Sequence, residues 1–489
     1  MPVPENRIRA LNTIEVSSGE FVLYWMVAFR RLQWNFALER AVEHATRLGL
    51  PLLVFEPLRA GYEWASARHH RFVLDGMADQ RDACEALPVG YYPYVEPEKG
   101  QGAGLLEALA DKAAVIVSDD FPAFFIPRMH AAAAAKLRTR LEVVDSNGML
   151  PMISTDRVFT TAHSFRAHLQ KNLKPFLQEL PREDPIRGAK LKRFSGLPKG
   201  IAKRWPVASD GLLDRESGAL DELPIDHSVA SVGGTPGGAR VGRRLVDEFI
   251  GAVIARYTDQ RNEPEKRATS QLSAHLHFGH VSSHQIFDAL RRRESSWSVR
   301  DLPEKGGGSR EGWWKMSPEA ESFLDELITW RELGFNMASK RGADYEQYSS
   351  LPEWARKTLD DHRDDERPYT YTLRQFDNAE TDDELWNAAQ RQLVRDGRIH
   401  NYLRMLWGKK ILEWTETPED ARDIMVELNN RYALDGRDPN SYSGIMWVLG
   451  RYDRAWGPER PIYGKVRYMS SKNTAKKIKV KGYLERYSA

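Results

Sequence analysis

The chain has 489 residues, 41% hydrophobic and 29% charged, with a formal net charge of +2. That is enough to bury a large core in about two or three domains, and its charge balance neither demands nor excludes nucleic acid. A single cysteine, Cys84, excludes a disulfide framework within the chain and cysteine-based zinc or iron–sulfur sites. No clean apolar run of roughly 18 residues occurs, so no membrane span is expected, and the opening MPVPENRIRA carries no apolar signal segment. The cytoplasm is the default location.

In chain order, FVLYWM (21–26), LPLLVFEP (50–57), AAVIVSDD (113–120) and LEVVDSNG (141–148) read as buried strands. Helical spacing predicts helices over Trp34–Leu48, Arg68–Met77 and Met129–Leu137. Apolar strands alternating with helices predict a doubly wound parallel sheet, an α/β domain over residues 1–180. Asp119, Asp120, Asp145 and Asn147 fall at the carboxyl ends of strands, where they either line a pocket or cap loops. No GxGxxG supports a standard dinucleotide site.

Residues 181–242 read as an inter-domain connector, turn-rich and basic in PREDPIRGAKLKRFSGLPKG, with a flexible break at VGGTPGG. A second domain is expected over 243–489, mostly helical. Its helical runs include 321–334, 383–397, 400–414 and 418–435, with a loop over 334–354. Buried Arg, Asn and Asp in so large a helical region need partners, and a bound polar cofactor is one source of them. His275, His277, His280 and His284 do not share one face, so no metal site is expected. Lys465, Arg467, Lys472, Lys476, Lys477, Lys479 and Lys481 make the end of the chain basic, either as a solvated surface or for phosphate contact.

The stretch WNAAQRQLVRDGRIHNYLRMLWGKKILEW (386–414) reads as a helical hairpin carrying Trp386, Trp407 and Trp414. Trp407 and Trp414 are seven positions apart, two helical turns, and so share a face; Trp386 comes from the neighbouring helix. Core packing is the plain reading of all three.

That stretch, with TSQLSAHLHFG (269–279), ESFLDELITWREL (321–333), LPEWARKTLDDHRDD (351–365), LDGRDPNSYSGIMW (434–447) and ERPIYGKVRYM (459–469), resembles the class II cyclobutane pyrimidine dimer photolyases of the photolyase/cryptochrome superfamily. The resemblance spans nearly the whole chain and is looser in its first third. It implies light-driven repair of pyrimidine dimers in double-stranded DNA by a protein that holds FAD, active as FADH⁻, in the helical domain; a monomer suits an enzyme that docks on a duplex. By the same resemblance, Tyr257, Thr269, Ser270, Leu272 and Ser273 lie near the FAD phosphates. Arg404 and Asp435 form an ion pair beside the isoalloxazine ring. Asn429, in one register with Asn430 adjacent, faces flavin N5, and Asn401 is a further flavin-side residue.

The resemblance further assigns Glu326, Trp330, Met405 and Trp447 to the lesion pocket, with Glu326 bonding a flipped thymine edge and stabilising a developing radical anion. Trp386, Trp407 and Trp414 correspond to electron-transfer tryptophans that photoreduce oxidised flavin. The α/β domain holds an antenna chromophore, a deazaflavin or a folate, or none. The chain departs from the family text at Ala274 and His275, at GFNMASK after WREL, and at MVAFRR (26–31). A cryptochrome-like light sensor without repair activity is the alternative implied by the same superfamily; retention of the four lesion-pocket residues favours repair.

Overall fold

The computed structural model describes residues 2–489. They divide into two compact units. The first comprises Met1–Asp156, Leu173–Asp247 and Leu272–Arg293; the second comprises Arg157–Asn172, Glu248–Gln271 and Glu294–Ala489. The chain thus crosses between the units more than once, and Arg157–Asn172 packs with the helical unit. Among the described residues no helix is long and apolar enough to cross a membrane.

The first unit is built on a six-stranded sheet: β1 (Ile8–Ala10), β2 (Phe21–Trp25), β3 (Leu52–Leu58), β4 (Gly90–Val95), β5 (Ala113–Asp119) and β6 (Leu141–Val144), in the order β1-β6-β5-β2-β3-β4. All neighbours are parallel except β1, which runs antiparallel to β6. Every residue of β2 and β5 is buried, as expected of strands covered on both faces. Helices Phe36–Leu48, Ala67–Cys84 and Ile126–Lys136 occur near the predicted positions. The sequence reading missed β1 and β4, the edge strands. β1 has three residues, and β4 carries Pro93, which an edge tolerates because one side of the strand has no ladder to complete.

The strand-end polar residues cap loops. Asp119 accepts the N–H groups of Val27, Ala28 and Phe29 at 2.7–2.8 Å and the Tyr24 hydroxyl at 2.7 Å. Asp145 accepts from Asn147 N and Met152 N, and the Asn147 amide donates to the Asp120 carbonyl. Asp120 pairs with Arg9. The MVAFRR segment is therefore a fixed turn: Arg30 pairs with Glu56, and Arg31 donates to the carbonyls of Trp34 and Gly279. Gly279 has φ of 73°, and a Cβ there would run into the Ala28 carbonyl.

The segment read as a connector is packed, and so is the break within it that was expected to be flexible. Leu213 and Leu223 join a buried cluster with Leu58, Val73, Leu74, Met77 and Val95. Arg71 donates to the carbonyls of Leu213 and Asp214. Within VGGTPGG, Gly237 N donates to Asp75 and Gly238 N donates to the His280 ring. Scattered leucines bury apolar area that composition alone did not reveal.

The second unit is helical. Glu384–Asp396, Asn401–Glu413, Pro418–Tyr432 and Pro439–Val448 pack against one another. Asp383 and Thr417 cap two of the helix starts, and Gly397, with φ of 66°, ends the first helix. The loop expected from residue 334 begins later. A π-helical turn, Asp325–Trp330, continues directly into helix Arg331–Arg341. Polarity in GFNMASKR concealed the helix, because Asn336 is buried and satisfied: its oxygen accepts Phe159 N at 3.1 Å and its amide donates to the Arg157 carbonyl at 3.0 Å.

Helix Ser273–His277 buries His275 in the first unit beside Phe72 and His280. Among the described residues neither ring nitrogen of His275 has a hydrogen-bond partner of good geometry, and burial pushes its pKa down to about 4. The unfolded chain therefore binds a proton near pH 6.5 that the folded chain refuses until about pH 4. Stability from this group is complete above pH 6.5 and declines as pH falls toward 4. His275→Phe should recover about 2 kcal/mol of the stability lost between pH 7.5 and 5. Denaturant unfolding at both pH values checks this, and equal pH sensitivity in variant and parent refutes it.

Candidate active site

All the predicted site residues except Leu272 and Ser273 lie in the helical unit; those two begin the Leu272–Arg293 segment of the first unit. Tyr257 is buried against Phe249 and Phe323, with ring centroids at 5.7 and 5.5 Å. Burial, with the Glu326 charge adding to it, pushes its hydroxyl up to about 12, so it stays protonated. Thr269 and Ser270 are in a loop, where the Thr269 hydroxyl accepts from the Gln271 amide. The helix that follows, Ser273–His277, has Leu272 at its N-cap with no side-chain cap bond, and Ser273 is exposed.

Arg404 and Asp435 are brought together. Nη2 of Arg404 lies 3.0 Å from Oδ1 and 3.3 Å from Oδ2 of Asp435. Arg404 comes from helix Asn401–Glu413 and Asp435 from the turn after Pro418–Tyr432. That turn is fixed by Asn430, whose oxygen accepts Arg437 N at 2.9 Å and whose amide donates to the Tyr442 hydroxyl at 3.1 Å. Leu434 N donates to the Gly397 carbonyl and ties the turn to the helical hairpin. Asn429 donates to Ser441 Oγ at 2.8 Å and to Asn430 Oδ1 at 3.3 Å. Both asparagines are buried. Asn401 is exposed at the first turn of its helix.

Nε of Arg404 is buried with no hydrogen-bond partner among the described residues. A guanidinium bonded to carboxylate on one side retains a donor that burial makes costly to leave unmet. This unmet donor fits an acceptor on the edge of a flavin ring, with the adjacent carboxylate balancing the guanidinium charge.

The four predicted lesion residues form two groups. Glu326 and Trp330 are half-buried on the π turn, one turn apart. Glu326 pairs with Arg261 at 2.7 Å, and that guanidinium lies over the Tyr257 ring. The neighbouring Asp325 is buried in a two-pronged pair with Arg166, at 2.7 and 2.9 Å. π turns insert one residue into a helix and recur at functional sites. In the second group, Met405 lines a cavity of about 430 Å³ with Trp456, Arg460, Arg467, Tyr468 and Lys477. Trp447 is half-buried, with the Arg467 guanidinium 5.3 Å from its ring centroid and 4.2 Å from that of Trp456.

Trp386, Trp407 and Trp414 are all buried. Trp386 packs edge-on to Trp414 at 5.9 Å and donates its indole N–H to the Trp407 carbonyl at 2.9 Å. Trp407 donates to Gln390 at 2.9 Å. Phe376 lies 5.2 Å from Trp386, and Tyr371 lies 5.4 Å from Trp414. Sequence reasoning missed Arg261, Arg166, Trp456 and Gln390. Arg261 was discoverable as the residue four positions after Tyr257, on the same helical side. Nothing local marks Arg166, which meets its partner 159 positions away.

No family model matches the chain. A deoxyribodipyrimidine photo-lyase of Methanothermobacter thermautotrophicus is 36% identical over 483 residues, covering 98% of this chain and 97% of the relative. Proteins of the same name from Arabidopsis thaliana and Potorous tridactylus are 33% and 30% identical, covering 95% and 97% of this chain and 88% and 83% of the relatives. Among solved structures, a bacterial class III photolyase from Agrobacterium tumefaciens superposes with a TM-score of 0.66 at 17% identity, over 96% of this chain and 86% of the other. A Synechocystis cryptochrome does so with a TM-score of 0.65 at 14% identity, over 96% and 88%. These last two likenesses speak of the fold alone. With near-full-length identity of 30% and more to proteins of one name, and a sheet unit and helical unit of the photolyase/cryptochrome kind, the chain belongs to the deoxyribodipyrimidine photo-lyase family.

Proposed function

We propose that this enzyme is a class II-type photolyase that repairs cyclobutane pyrimidine dimers in double-stranded DNA, holding FAD in its helical unit. The observation that carries the reading is the half-exposed carboxylate and indole of Glu326 and Trp330 on one π turn, whose next-door Asp325 is anchored in the interior by Arg166. A light sensor has no use for such a presented pair.

Members of the photolyase/cryptochrome superfamily generally bind FAD, which in its reduced form would supply light-driven one-electron chemistry with no net redox change. Arg404, Asp435 and Asn429 would hold its ring edge, with Arg404 Nε as the unmet donor. Tyr257, Thr269 and Ser270, with Leu272 and Ser273, are the residues proposed for its phosphates, and Asn401 for its outer edge.

The dimer must leave the stack to be reached. Trp330 and Trp447 offer aromatic faces that offset part of the unstacking cost, and Met405 adds an adaptable apolar contact. Glu326 accepts a base N–H, with Arg261 holding its carboxylate in place. Arg460, Arg467 and Lys477 around the Met405 cavity provide phosphate contacts that position the strand without reading sequence. Trp386, Trp407 and Trp414 form a buried path for electrons entering the helical unit, separate from the groups that hold the lesion.

Two variants test this division. Glu326→Ala should reduce light-dependent reversal of dimers in an oligonucleotide by roughly tenfold or more while flavin content is unchanged. Trp386→Phe should slow photoreduction of oxidised flavin yet leave repair by chemically reduced protein intact. Absorption spectra and dimer reversal under blue light read both. Protein made in flavin-replete cells without bound flavin, or reduced protein that leaves dimers intact, overturns the proposal.

A further inference from the structure

Lys409 is a fully buried lysine in the middle of helix Asn401–Glu413, two positions after Trp407. Its ammonium donates to the Val448 carbonyl and lies 5.4 Å from the centroid of the Trp447 ring. The same indole carries the Arg467 guanidinium at 5.3 Å. Trp447 is half-buried, so one ring faces two cations and keeps part of its surface in solvent. Arg467 is neutralised by a two-pronged pair with Asp453, at 2.9 and 3.1 Å, whereas among the described residues no carboxylate contacts the Lys409 ammonium at that range.

We propose that Lys409 is a positioning residue for the lesion pocket, acting through Trp447: its ammonium holds the indole and favours an anionic strand stacked there for as long as it is charged. The inference rests on the lesion role proposed above for Trp447. An isolated ammonium in a buried place is costly and would be replaced by an apolar side chain if packing were its only task. A cation over an aromatic face is a directional contact, stronger when desolvated. Of the two cations over this ring, Arg467 is matched by an acid and Lys409 is bonded to a carbonyl.

The site has a titration that separates this role from plain packing. Burial pushes the Lys409 amine down to about 7, with Asp453 acting to raise it and Arg467 to lower it. Asp453 and Arg467 act on the ammonium, and Tyr463, which donates to the Lys409 carbonyl and to Glu413, lies at the backbone of the same residue. Burial acts to raise Asp453, but bonds from Arg467, Arg454 N and Trp456 keep it below the usual carboxylate range. Burial holds the Tyr463 hydroxyl well above its ordinary value, so it stays neutral. Lys409 is charged below about pH 7 and neutral above it.

The experiment measures affinity of the full-length protein for a dimer-containing duplex and its undamaged counterpart at pH 6 and 8.5, at fixed ionic strength in the dark. Affinity for the dimer duplex should fall roughly threefold to tenfold across that range, while affinity for the undamaged duplex stays nearly level. Lys409→Met should abolish the fall, giving weak dimer binding at both pH values. Lys409→Arg should also abolish it, giving strong binding at both. Either variant decides the matter if the other fails to fold. A fall that persists in a folded variant, or that appears equally with undamaged DNA, overturns the role of Lys409. No preference for dimer DNA at any pH would instead overturn the lesion pocket itself.

Discussion

A buried amide governs the geometry around the proposed flavin position. Asn430 is fully buried, and its side chain satisfies the Arg437 N–H and the Tyr442 hydroxyl together. Each of those groups would cost about 1–3 kcal/mol if left without a partner in the interior. With them bound, the turn from Ala433 to Asp438 has one conformation, and Asp435 stands opposite Arg404. Gly436 belongs to the same arrangement, because a Cβ there would press on the Asn429 and Ala433 carbonyls. The ion pair is therefore placed by neutral hydrogen bonds beneath it, and Arg404 is left with a donor pointing elsewhere.

The π turn follows similar logic with charge in place of an amide. Arg166 reaches from helix Ala162–Asn172 to Asp325 and also donates to the Gly308 carbonyl. Gln170 on the same helix accepts from Gly308 N and donates to the Ser309 carbonyl. A glycine-rich loop and an irregular helix are thereby held by one short helix. Removing one partner of such a buried pair costs much more than the pair contributes in net terms, since the other charge is then unmatched. The arrangement keeps Asp325 inward, so that Glu326 and Trp330 remain at the surface of the turn.

Packing of the tryptophans does not conflict with the electron path proposed for them. Trp386, Trp407 and Trp414 are buried, and the indole N–H groups of Trp386 and Trp407 are both satisfied. The aromatic contacts continue through Tyr371 to Tyr369, which is half exposed. The core-packing and electron-transfer readings of these residues are therefore compatible: dense packing brings rings within van der Waals reach, and that proximity is what electron transfer between side chains requires.

Much of the molecule was legible in the chain. Apolar runs of strand length alternating with helices specify a covered parallel sheet, since no other arrangement buries such strands on both faces. The helical hairpin and its tryptophans follow from helical periodicity and from Gly397 between the two runs. Relations between distant positions were not legible. The pairing of Arg166 with Asp325 and of Arg261 with Glu326, the capping by Asp119, and the packed course of the 181–242 segment all depend on which groups meet after folding. By itself the sequence determined the elements and the chemical kinds of residue available. Only the tertiary structure decided which polar groups are buried together, because desolvation cost depends on neighbours in space and not on neighbours in the chain.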